Sequence, residues 1–287
     1  MNTGDFEFLC NFLKTRSGLI LNTDKMYLVE SRLLPLVRKR KLDSLDVLVK
    51  QLRMGSDKQL IQDVTEAMTT NESSFFRDKT PFDTMRNEVL PKFVDTRGAR
   101  KQLRIWSAAA STGQECYSIA MLLKEMSAQL AGWRFDIIGT DISKEVLEKA
   151  RAGMYSQFEV QRGVPMQLLV KYFKQIGEMW QIDPAIRAMV QFRECNLLND
   201  LKALGTCDII FCRNVLIYFD TETKKMVLER MAEIMPDDGI LFLGAAETVI
   251  GLTNKLVNIK GVRGAYAKAG RVEAAAVVAP PARAAAG

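Results

Sequence analysis

The side chains best suited to chemistry in this sequence stand at the ends of predicted strands. Glu115 lies in the first turn of a helix that follows the predicted strand over residues 102–108, and Asp141 ends the next predicted strand. Arg213 and Asn214 stand at the end of a later one. Because open α/β sheets bind ligands at the carboxyl ends of their parallel strands, we expect these side chains to meet in one ligand-binding cleft.

The residue types at this cleft suit a nucleotide-like ligand. Asp141 can accept charge-assisted hydrogen bonds from ribose hydroxyl groups; its alternative role is to cap the helix predicted over 144–153, although Ser143 suits that role. Glu115 can pair with a cationic group such as a sulfonium or an ammonium, or can compensate the helix dipole. Small residues over 107–113 let the backbone approach a bulky ligand closely.

The sequence contains no histidine among its 287 residues. This excludes Ser-His-Asp and Cys-His nucleophile systems, a histidine general base and histidine metal ligands. The five cysteines form no CxxC pair and are expected to be small buried side chains, so we predict neither a disulfide nor a metal site. The chemistry must therefore need little proton transfer.

Positive charge is unevenly distributed along the chain, whose formal net charge is +6. Residues 31–41 hold five basic side chains and no acidic one, which favours a local acidic partner over general nucleic-acid binding. No apolar run approaches the roughly 18 residues of a membrane span, and the first residues do not resemble a signal peptide. We therefore expect a cytoplasmic protein with no membrane insertion.

Alternating strands and helices predict an α/β domain with a mainly parallel sheet and a Rossmann-like order of elements. Strands are predicted over 102–108, 135–141, 189–195, 207–213 and 240–246, with a last strand near 258–268, and helices over 113–131, 144–153 and 221–235.

The chain is predicted to divide into two domains. An all-α N-terminal domain over residues 1–72 shows helical spacing of its apolar residues, and Pro35 is expected to kink or split its basic helix. The α/β domain over 73–269 contains a small inserted β-subdomain at about 156–188. The Ala- and Pro-rich tail over 270–287 is predicted to be disordered.

Four segments of the sequence are similar to those of one family in their residues as well as in their spacing. They read SAAASTGQECYS from Ser107, TDIS from Thr140, NLL from Asn196 and FCRNVLIYF from Phe211. They resemble the CheR family, the class I methyltransferases that esterify glutamates on bacterial chemoreceptors, and the resemblance covers roughly residues 5–268. It implies that the chain uses S-adenosylmethionine and releases S-adenosylhomocysteine.

The resemblance also implies roles for individual residues. The segment from Thr70 to Arg77 looks like the family's TNxTxFFR segment, which contacts the cofactor. Cofactor contacts are implied at Asn71, Ser73, Arg77, Glu115, Asp141, Asn196, Leu197, Arg213 and Asn214, and catalytic roles at Arg77 and Tyr218. Receptor contacts are implied at Arg32 and Arg38 in the basic helix. The family's usual GEEPYS segment is altered here at Gln114 and Cys116.

A glutamate acceptor agrees with the absence of histidine. A glutamate has a pKa near about 4.3, so it is already ionised at neutral pH and can attack a methyl group without a general base. The [DN]PP[YFW] segment of nucleic-acid amino-methyltransferases is absent after the strand over 207–213, so base methylation is not expected. Two alternatives stay open: a methyltransferase for another protein or a small molecule, and a non-catalytic adapter that senses the cofactor.

The inserted subdomain bears on how a receptor would be reached. Some CheR proteins bind a peptide at the receptor's C-terminus and share a glycine-rich loop after an aromatic pair that matches Tyr172 and Phe173. Here residues 174–180 contain a single glycine. We therefore expect a monomer that finds its receptor without such a tether.

Overall fold

The computed structural model describes residues 1–270 of the chain. Apart from Gly270, the tail predicted to be disordered lies outside the described residues. Within them, no helix combines the length and the apolar character that crossing a membrane requires.

Four helices form the N-terminal part of the protein around a core of their own. They are α1 (Thr3–Ser17), α2 (Met26–Lys39), α3 (Leu45–Met54) and α4 (Lys58–Met68). Their buried side chains, which include Leu9, Leu33, Leu48 and Val64, form a cluster separate from the sheet cores. The all-α prediction for this part of the chain is confirmed.

Of the two outcomes predicted for Pro35, a kink or a split in the basic helix, the split is wrong, because α2 runs unbroken from Met26 to Lys39. Pro35 is exposed, while Leu33, Leu36 and Val37 on either side of it are buried. A proline inside a helix costs about 3 kcal/mol. The packing of the apolar stripe on both sides of Pro35 offsets that cost.

A linker over residues 69–79 leads into the second part of the chain. It is followed by α5 (Thr80–Thr84), a π-helical turn over Met85–Val89 and α6 (Leu90–Arg97). The predicted boundary between residues 72 and 73 falls inside this linker, and the exact division into domains stays a prediction.

The remaining helices and the strands alternate, as the sequence predicts. The strands are β1 (Gln102–Ala108), β2 (Arg134–Asp141), β3 (Met154–Ser156), β4 (Phe173–Ile176), β5 (Met179–Ile182), β6 (Val190–Glu194), β7 (Ile209–Cys212), β8 (Ile240–Leu243), β9 (Leu256–Asn258) and β10 (Ala265–Lys268). The helices are α7 (Gln114–Glu125), α8 (Lys144–Ala152), α9 (Gln157–Gln161), α10 (Met166–Tyr172), α11 (Pro184–Arg187) and α12 (Thr221–Ile234).

In the described residues, seven strands form the main sheet in the order β6-β2-β1-β7-β8-β10-β9. The five strands from β6 to β8 are parallel, and β10 is antiparallel to both of its neighbours. The prediction of one last strand near 258–268 is wrong in detail. This region contains two strands, β9 and β10, because the loop over 259–264 reverses the chain. Gly261 and Gly264 in this loop have positive φ.

Both faces of the sheet are covered, which explains why its strands are apolar throughout. Alternate residues such as Ile105 and Ile137 pack with the helix α7, while Trp106 and Ile138 pack on the opposite face with α12. The α/β fold with helices on both faces is therefore confirmed. Helix α7 ends at Glu125, six residues before the predicted end at 131.

A three-stranded antiparallel sheet in the order β3-β5-β4 extends over residues 154–182, so it begins two residues before the insertion predicted at about 156–188. Strands β4 and β5 are joined by a two-residue turn at Gly177 and Glu178, with Gly177 at a positive φ of 60°. This tight turn leaves no loop between the two strands.

Candidate active site

A cavity lies at the carboxyl ends of β1, β2 and β7, between the sheet and the N-terminal helices. Three parts of the chain line it: Ser17 and Leu19 after α1, the linker from Thr69 to Arg77, and the loops that follow the strands. All the predicted cofactor contacts line this cavity, namely Asn71, Ser73, Arg77, Glu115, Asp141, Asn196, Leu197, Arg213 and Asn214, and so does Tyr218.

Asp141 ends β2 and is 6% exposed. One oxygen of its carboxylate accepts a hydrogen bond from the backbone N–H of Ser111 at 2.9 Å, and the other accepts from the N–H of Ser143 at 3.0 Å. Burial raises the pKa of Asp141, while these hydrogen bonds act in the opposite direction. Ser143 caps α8, as expected.

The turn after β1 carries backbone strain next to Asp141. Ala109 and Ser111 have positive φ angles of 54° and 50°, which non-glycine residues rarely adopt. The Ser111 hydroxyl donates to the backbone carbonyl of Asn71 at 2.7 Å. This turn therefore connects the end of β2 with the linker.

The Arg213 side chain is 2% exposed and is the centre of an ionic network. Its guanidinium donates to Glu115 at 2.8 Å, to Asp78 at 2.7 Å and to the backbone carbonyl of Arg77 at 2.8 Å. The second oxygen of Glu115 accepts from the Ser107 hydroxyl at 2.8 Å. Two carboxylates thus compensate a buried cation and fix the linker to the end of β7.

One donor of this network has no partner. Within residues 1–270, the Nε atom of Arg213 is the buried side-chain nitrogen or oxygen that lacks a hydrogen bond. A buried N–H group without an acceptor is costly, and a polar ligand in the cavity that Arg213 lines would satisfy it. This orphaned donor, with the carboxylates of Asp141 and Glu115, fits a ligand that carries a carboxylate, ribose hydroxyls and positive charge. S-adenosylmethionine is such a ligand.

The linker is held against the sheet domain along its length. The Ser118 hydroxyl accepts from the backbone N–H of Phe76 at 2.9 Å, and Phe75 is buried. Arg77 donates to the carbonyl of Glu72 at 3.2 Å, and Arg162 forms an ion pair with the Glu72 carboxylate. The pKa of Glu72 is lowered chiefly by its hydrogen bond with Arg162.

Glu247 is a site residue that sequence reasoning missed. Its buried carboxylate accepts hydrogen bonds from four backbone N–H groups at 2.7–2.9 Å, those of Asn214, Val215, Leu216 and Gly244. These bonds hold the loop after β7, in which Asn214 has a positive φ of 59°. A Cβ atom at Gly244 would lie 2.7 Å from the Glu247 carboxylate, so glycine is required there. The available signal was an acidic residue soon after a buried strand, as at Asp141.

The end of α1 contacts the loops of the sheet domain. The Asn196 amide donates to the carbonyl of Arg16 at 2.6 Å, and its oxygen accepts from the N–H of Leu198 at 3.0 Å. The N–H of Ile20 donates to the carbonyl of Tyr218 at 3.0 Å. The side chain of Asn196 is therefore engaged inside the protein even though the residue lines the cavity.

The structure does not bring Arg32 and Arg38 into the cavity. The Arg32 guanidinium donates to the carbonyls of Met68 and Thr69 and to the Thr70 hydroxyl, at 2.6–3.0 Å. Arg38 is exposed, and its side chain forms no hydrogen bond or ion pair with any residue from 1 to 270. Arg32 thus stabilises the start of the linker, while Arg38 is free to bind a partner.

The cysteines are not activated as nucleophiles. All five are free thiols, and burial raises the pKa of Cys116 and of Cys207 to about 12. Cys195 lines the cavity, and burial raises its pKa as well. A thiolate is therefore not available at neutral pH.

Two family descriptions match the chain over most of its length. Residues 4–69 match the all-alpha domain of CheR methyltransferase, and residues 71–265 match the CheR methyltransferase SAM-binding domain. Three curated proteins are similar over 86–89% of this chain. The chemotaxis protein methyltransferase Cher2 of Pseudomonas putida is 41% identical over 258 residues, which are 94% of its length. Chemotaxis protein methyltransferase 1 of Pseudomonas aeruginosa is 41% identical over 91% of its length, and that of Vibrio cholerae 38% over 93%.

Proposed function

The chain belongs to the CheR family of S-adenosylmethionine-dependent methyltransferases, and from this premise we propose that its substrates are glutamate side chains on the signalling helices of chemoreceptors. The product is a glutamyl methyl ester. Each transfer removes one negative charge from the receptor, which can shift the equilibrium of a bistable helical bundle and so adjust sensory adaptation.

The observation that carries the glutamate proposal is that the acidic side chains that line the cavity in residues 1–270, Glu72, Glu115 and Asp141, all have partners inside the protein, which for Glu72 is Arg162. Glu115 is bonded to Ser107 and Arg213, and both oxygens of Asp141 accept backbone hydrogen bonds. A protonated amine or an alcohol acceptor needs a base to take its proton. A glutamate carboxylate needs none, so this cavity suits it.

Different residues of the cavity bind different parts of the cofactor. We assign Asp141 to the ribose hydroxyls, Arg77 and the Nε donor of Arg213 to the amino-acid carboxylate, and the backbone of Asn196 and Leu197 to the adenine edge. Asn71 and Ser73 close the linker over the ligand. Bound S-adenosylmethionine supplies an electrophilic methyl group on a sulfonium.

The groups nearest the transfer step come from the loop after β7. Tyr218 and Asn214 line the cavity, and the Glu247 carboxylate holds the backbone N–H groups of residues 214–216 in the same loop. We assign Tyr218 and Arg77 to the alignment of the acceptor carboxylate with the methyl group. Alignment and partial desolvation of the two ions are the main tasks of such an enzyme.

Arg38 is the better of the two predicted receptor contacts. It is exposed on α2 and its side chain has no intramolecular partner in residues 1–270, whereas the Arg32 side chain is held by the linker. An exposed guanidinium suits an acidic receptor helix. We propose that the enzyme acts in the cytoplasm as a monomer, where it meets these helices, and binds no nucleic acid.

The two-residue turn between β4 and β5 supports recognition without a peptide tether. Glycine-free strands with a tight turn offer no loop that could shape a peptide site at this edge. The enzyme would then gain no increase in effective concentration from the receptor's C-terminus.

The test is methyl transfer from radiolabelled S-adenosylmethionine to membranes that contain candidate receptors, followed by mild base. Glutamyl esters release labelled methanol, whereas methylated amines keep their label. Unrelated acidic proteins serve as the control substrate. Base-stable label would contradict ester formation, equal labelling of the control would indicate a different methyltransferase, and binding without transfer to any receptor would indicate an adapter.

A further inference from the structure

Helix α4 of the N-terminal helical domain contacts the start of α8 in the sheet domain. The Glu66 carboxylate accepts hydrogen bonds from the Ser143 hydroxyl at 2.9 Å, the N–H of Lys144 at 3.2 Å and the N–H of Glu145 at 3.4 Å. One turn earlier on α4, the Gln62 amide donates to the carbonyl of Ile142 at 3.1 Å. Two residues of α4 thus bind the backbone of residues 142–145.

These contacts complete the cap of α8. The first N–H groups of a helix have no partner inside the helix and are normally satisfied by a nearby side chain. Ser143 accepts from Val146 at a long 3.4 Å, and Glu66 accepts from the two N–H groups before it. The negative charge of Glu66 also complements the positive end of the helix dipole.

The segment that Glu66 holds also holds Asp141. Ser143 donates to Glu66 through its hydroxyl and to the Asp141 carboxylate through its backbone N–H. The three residues therefore form one continuous chain of hydrogen bonds from the helical domain to the cavity. A shift of residues 142–145 would remove one of the two backbone donors that orient the carboxylate of Asp141.

We propose that Glu66 is a positioning residue of the cofactor site, which fixes residues 142–145 and thereby aims the carboxylate of Asp141 at the ribose. The proposal rests on the role assigned to Asp141 above. If Glu66 has this role, the packing of the helical domain against residues 142–145 and the affinity for the cofactor depend on each other, because a coupling between two binding events is reciprocal. Arg32 extends the connection to α2, because it binds the last carbonyl of α4 at Met68.

The experiment compares Glu66→Gln with Asp63→Asn. Asp63 lies on the same helix and its carboxylate binds Arg40 and Gln59, all inside the helical domain. Both changes remove one charged acceptor from α4. We expect Glu66→Gln to weaken the binding of S-adenosylhomocysteine by about fivefold to tenfold in calorimetry, and Asp63→Asn to leave it within about twofold. Equal weakening by both variants would overturn the proposal in favour of a merely structural role.

A double-mutant cycle with Asp141→Asn isolates the connection. If Glu66 acts through Asp141, then Glu66→Gln adds no further loss of affinity in the Asp141→Asn background. A full additional loss would overturn the proposal. If Asp141→Asn alone leaves the affinity unchanged, the ribose role itself is wrong; if it weakens binding while Glu66→Gln does not, only the role of Glu66 is wrong.

The wild-type protein gives a readout that does not depend on the folding of a variant. Because the coupling is reciprocal, addition of S-adenosylhomocysteine should slow hydrogen exchange at the amides of Lys144 and Glu145. Unchanged exchange at these two amides, with saturating ligand, would overturn the proposal.

Discussion

At the scale of single residues, each buried charge of the site is held by named partners. Arg213 is balanced by Glu115 and Asp78, Asp141 accepts from backbone N–H groups, and Glu247 accepts from four of them. Buried charges are stable only when such partners compensate the loss of water. The consequence is that conservative changes at these residues should have large effects.

The pKa of Asp141 makes cofactor binding depend on pH. Burial raises this pKa above the ordinary 3.8, and the ionised form accepts the ribose hydrogen bonds. We expect the affinity for S-adenosylhomocysteine to fall as pH falls through the raised pKa. The sign for stability is opposite: the folded protein holds this proton more tightly than the unfolded chain, so the contribution of Asp141 to stability is lost as pH rises from 3.8 through the raised pKa.

Calorimetry at several pH values between about 4.5 and 7.5 measures how the affinity for S-adenosylhomocysteine changes with pH. A fall in affinity within this range lies above the ordinary pKa of an aspartate. Asp141→Asn should lower the affinity at neutral pH by about tenfold or more and flatten the dependence. A wild-type affinity that shows the same pH profile as the variant would remove Asp141 from the site.

Glu247→Gln should damage both the fold and the activity. The amide turns an NH2 group toward backbone donors, so several charge-assisted bonds are lost and the free energy of unfolding should fall by about 2–4 kcal/mol. Because Asn214 and Tyr218 depend on this loop, kcat should fall at least about tenfold for enzyme that remains folded. Urea denaturation and methyl transfer measure the two effects.

Glu233→Gln is the matched control, since Glu233 forms an ion pair with Lys255 in which both side chains are about half exposed. Surface pairs of this kind contribute little to stability. Similar losses for the two variants would show that the four backbone bonds of Glu247 have no special importance.

At the scale of elements, the site depends on short segments that join larger ones. The linker over 69–79 crosses the cavity, the loop after β7 carries Asn214 and Tyr218, and the β4–β5 hairpin ends in a tight turn. Phe76, Asp78 and Lys79 in the linker all have positive φ. Strain of this kind persists only where surrounding contacts impose it.

Arg77→Ala should weaken cofactor binding and loosen the linker. We expect the affinity for S-adenosylhomocysteine to fall about tenfold, because a guanidinium contact with a carboxylate is lost. In limited proteolysis, the ligand should protect the linker of the wild type and fail to protect that of the variant.

Arg162→Ala separates the two effects. Arg162 holds Glu72 in the same linker but does not line the cavity. That variant should be cleaved faster without ligand while its affinity stays within about twofold. If the ligand does not protect the wild-type linker either, the linker does not close over the cofactor.

The hairpin of β4 and β5 should not bind a receptor peptide. A peptide that added a strand at this edge would meet side chains such as Lys174 and Gln175. The turn between β4 and β5 contains only Gly177 and Glu178. Titration of the whole enzyme with receptor C-terminal pentapeptides should show no binding in the micromolar range. Micromolar binding would contradict this prediction if the variant Gln175→Pro abolished it. Proline lacks a backbone N–H group and so removes one hydrogen-bond donor from the strand.

At the scale of the whole molecule, the cavity forms only where two cores meet. The N-terminal helices have their own hydrophobic cluster. Helix α4 contacts residues 142–145 of the sheet domain, and the end of α1 contacts Asn196, Tyr218 and Asp220. The linker that follows them contacts Arg213. The proposed substrate docking on the helices and the proposed cofactor binding at the sheet would therefore share one interface.

Charge reversal at Arg38 should impair receptor methylation while cofactor binding stays intact. Arg38→Glu should raise the KM for receptor by about tenfold at low salt, with a smaller effect as added salt screens the charge. Arg32→Glu is the contrast: it breaks bonds to Met68 and Thr69 and should lower cofactor affinity as well. Wild-type kinetics for Arg38→Glu at every salt concentration would exclude this residue from the docking surface.

The sequence by itself determined the class of the fold and named ten of the residues that line the cavity. Strand ends such as Asp141 and Arg213 could be predicted because burial on both faces makes the strands apolar, and because polar residues at their carboxyl ends meet at one edge of a parallel sheet. The family resemblance rested on the same local segments. The roles of these residues stay proposals.

The tertiary structure decided what each side chain binds, because those partners lie far away in the sequence. Arg32 contacts residues 36–38 positions away, Glu66 contacts residues 77–79 positions away, and Glu247 holds a loop 31–33 positions away. No local pattern encodes such pairings. The unbroken helix at Pro35 has the same cause, since packing against distant residues outweighs a local preference.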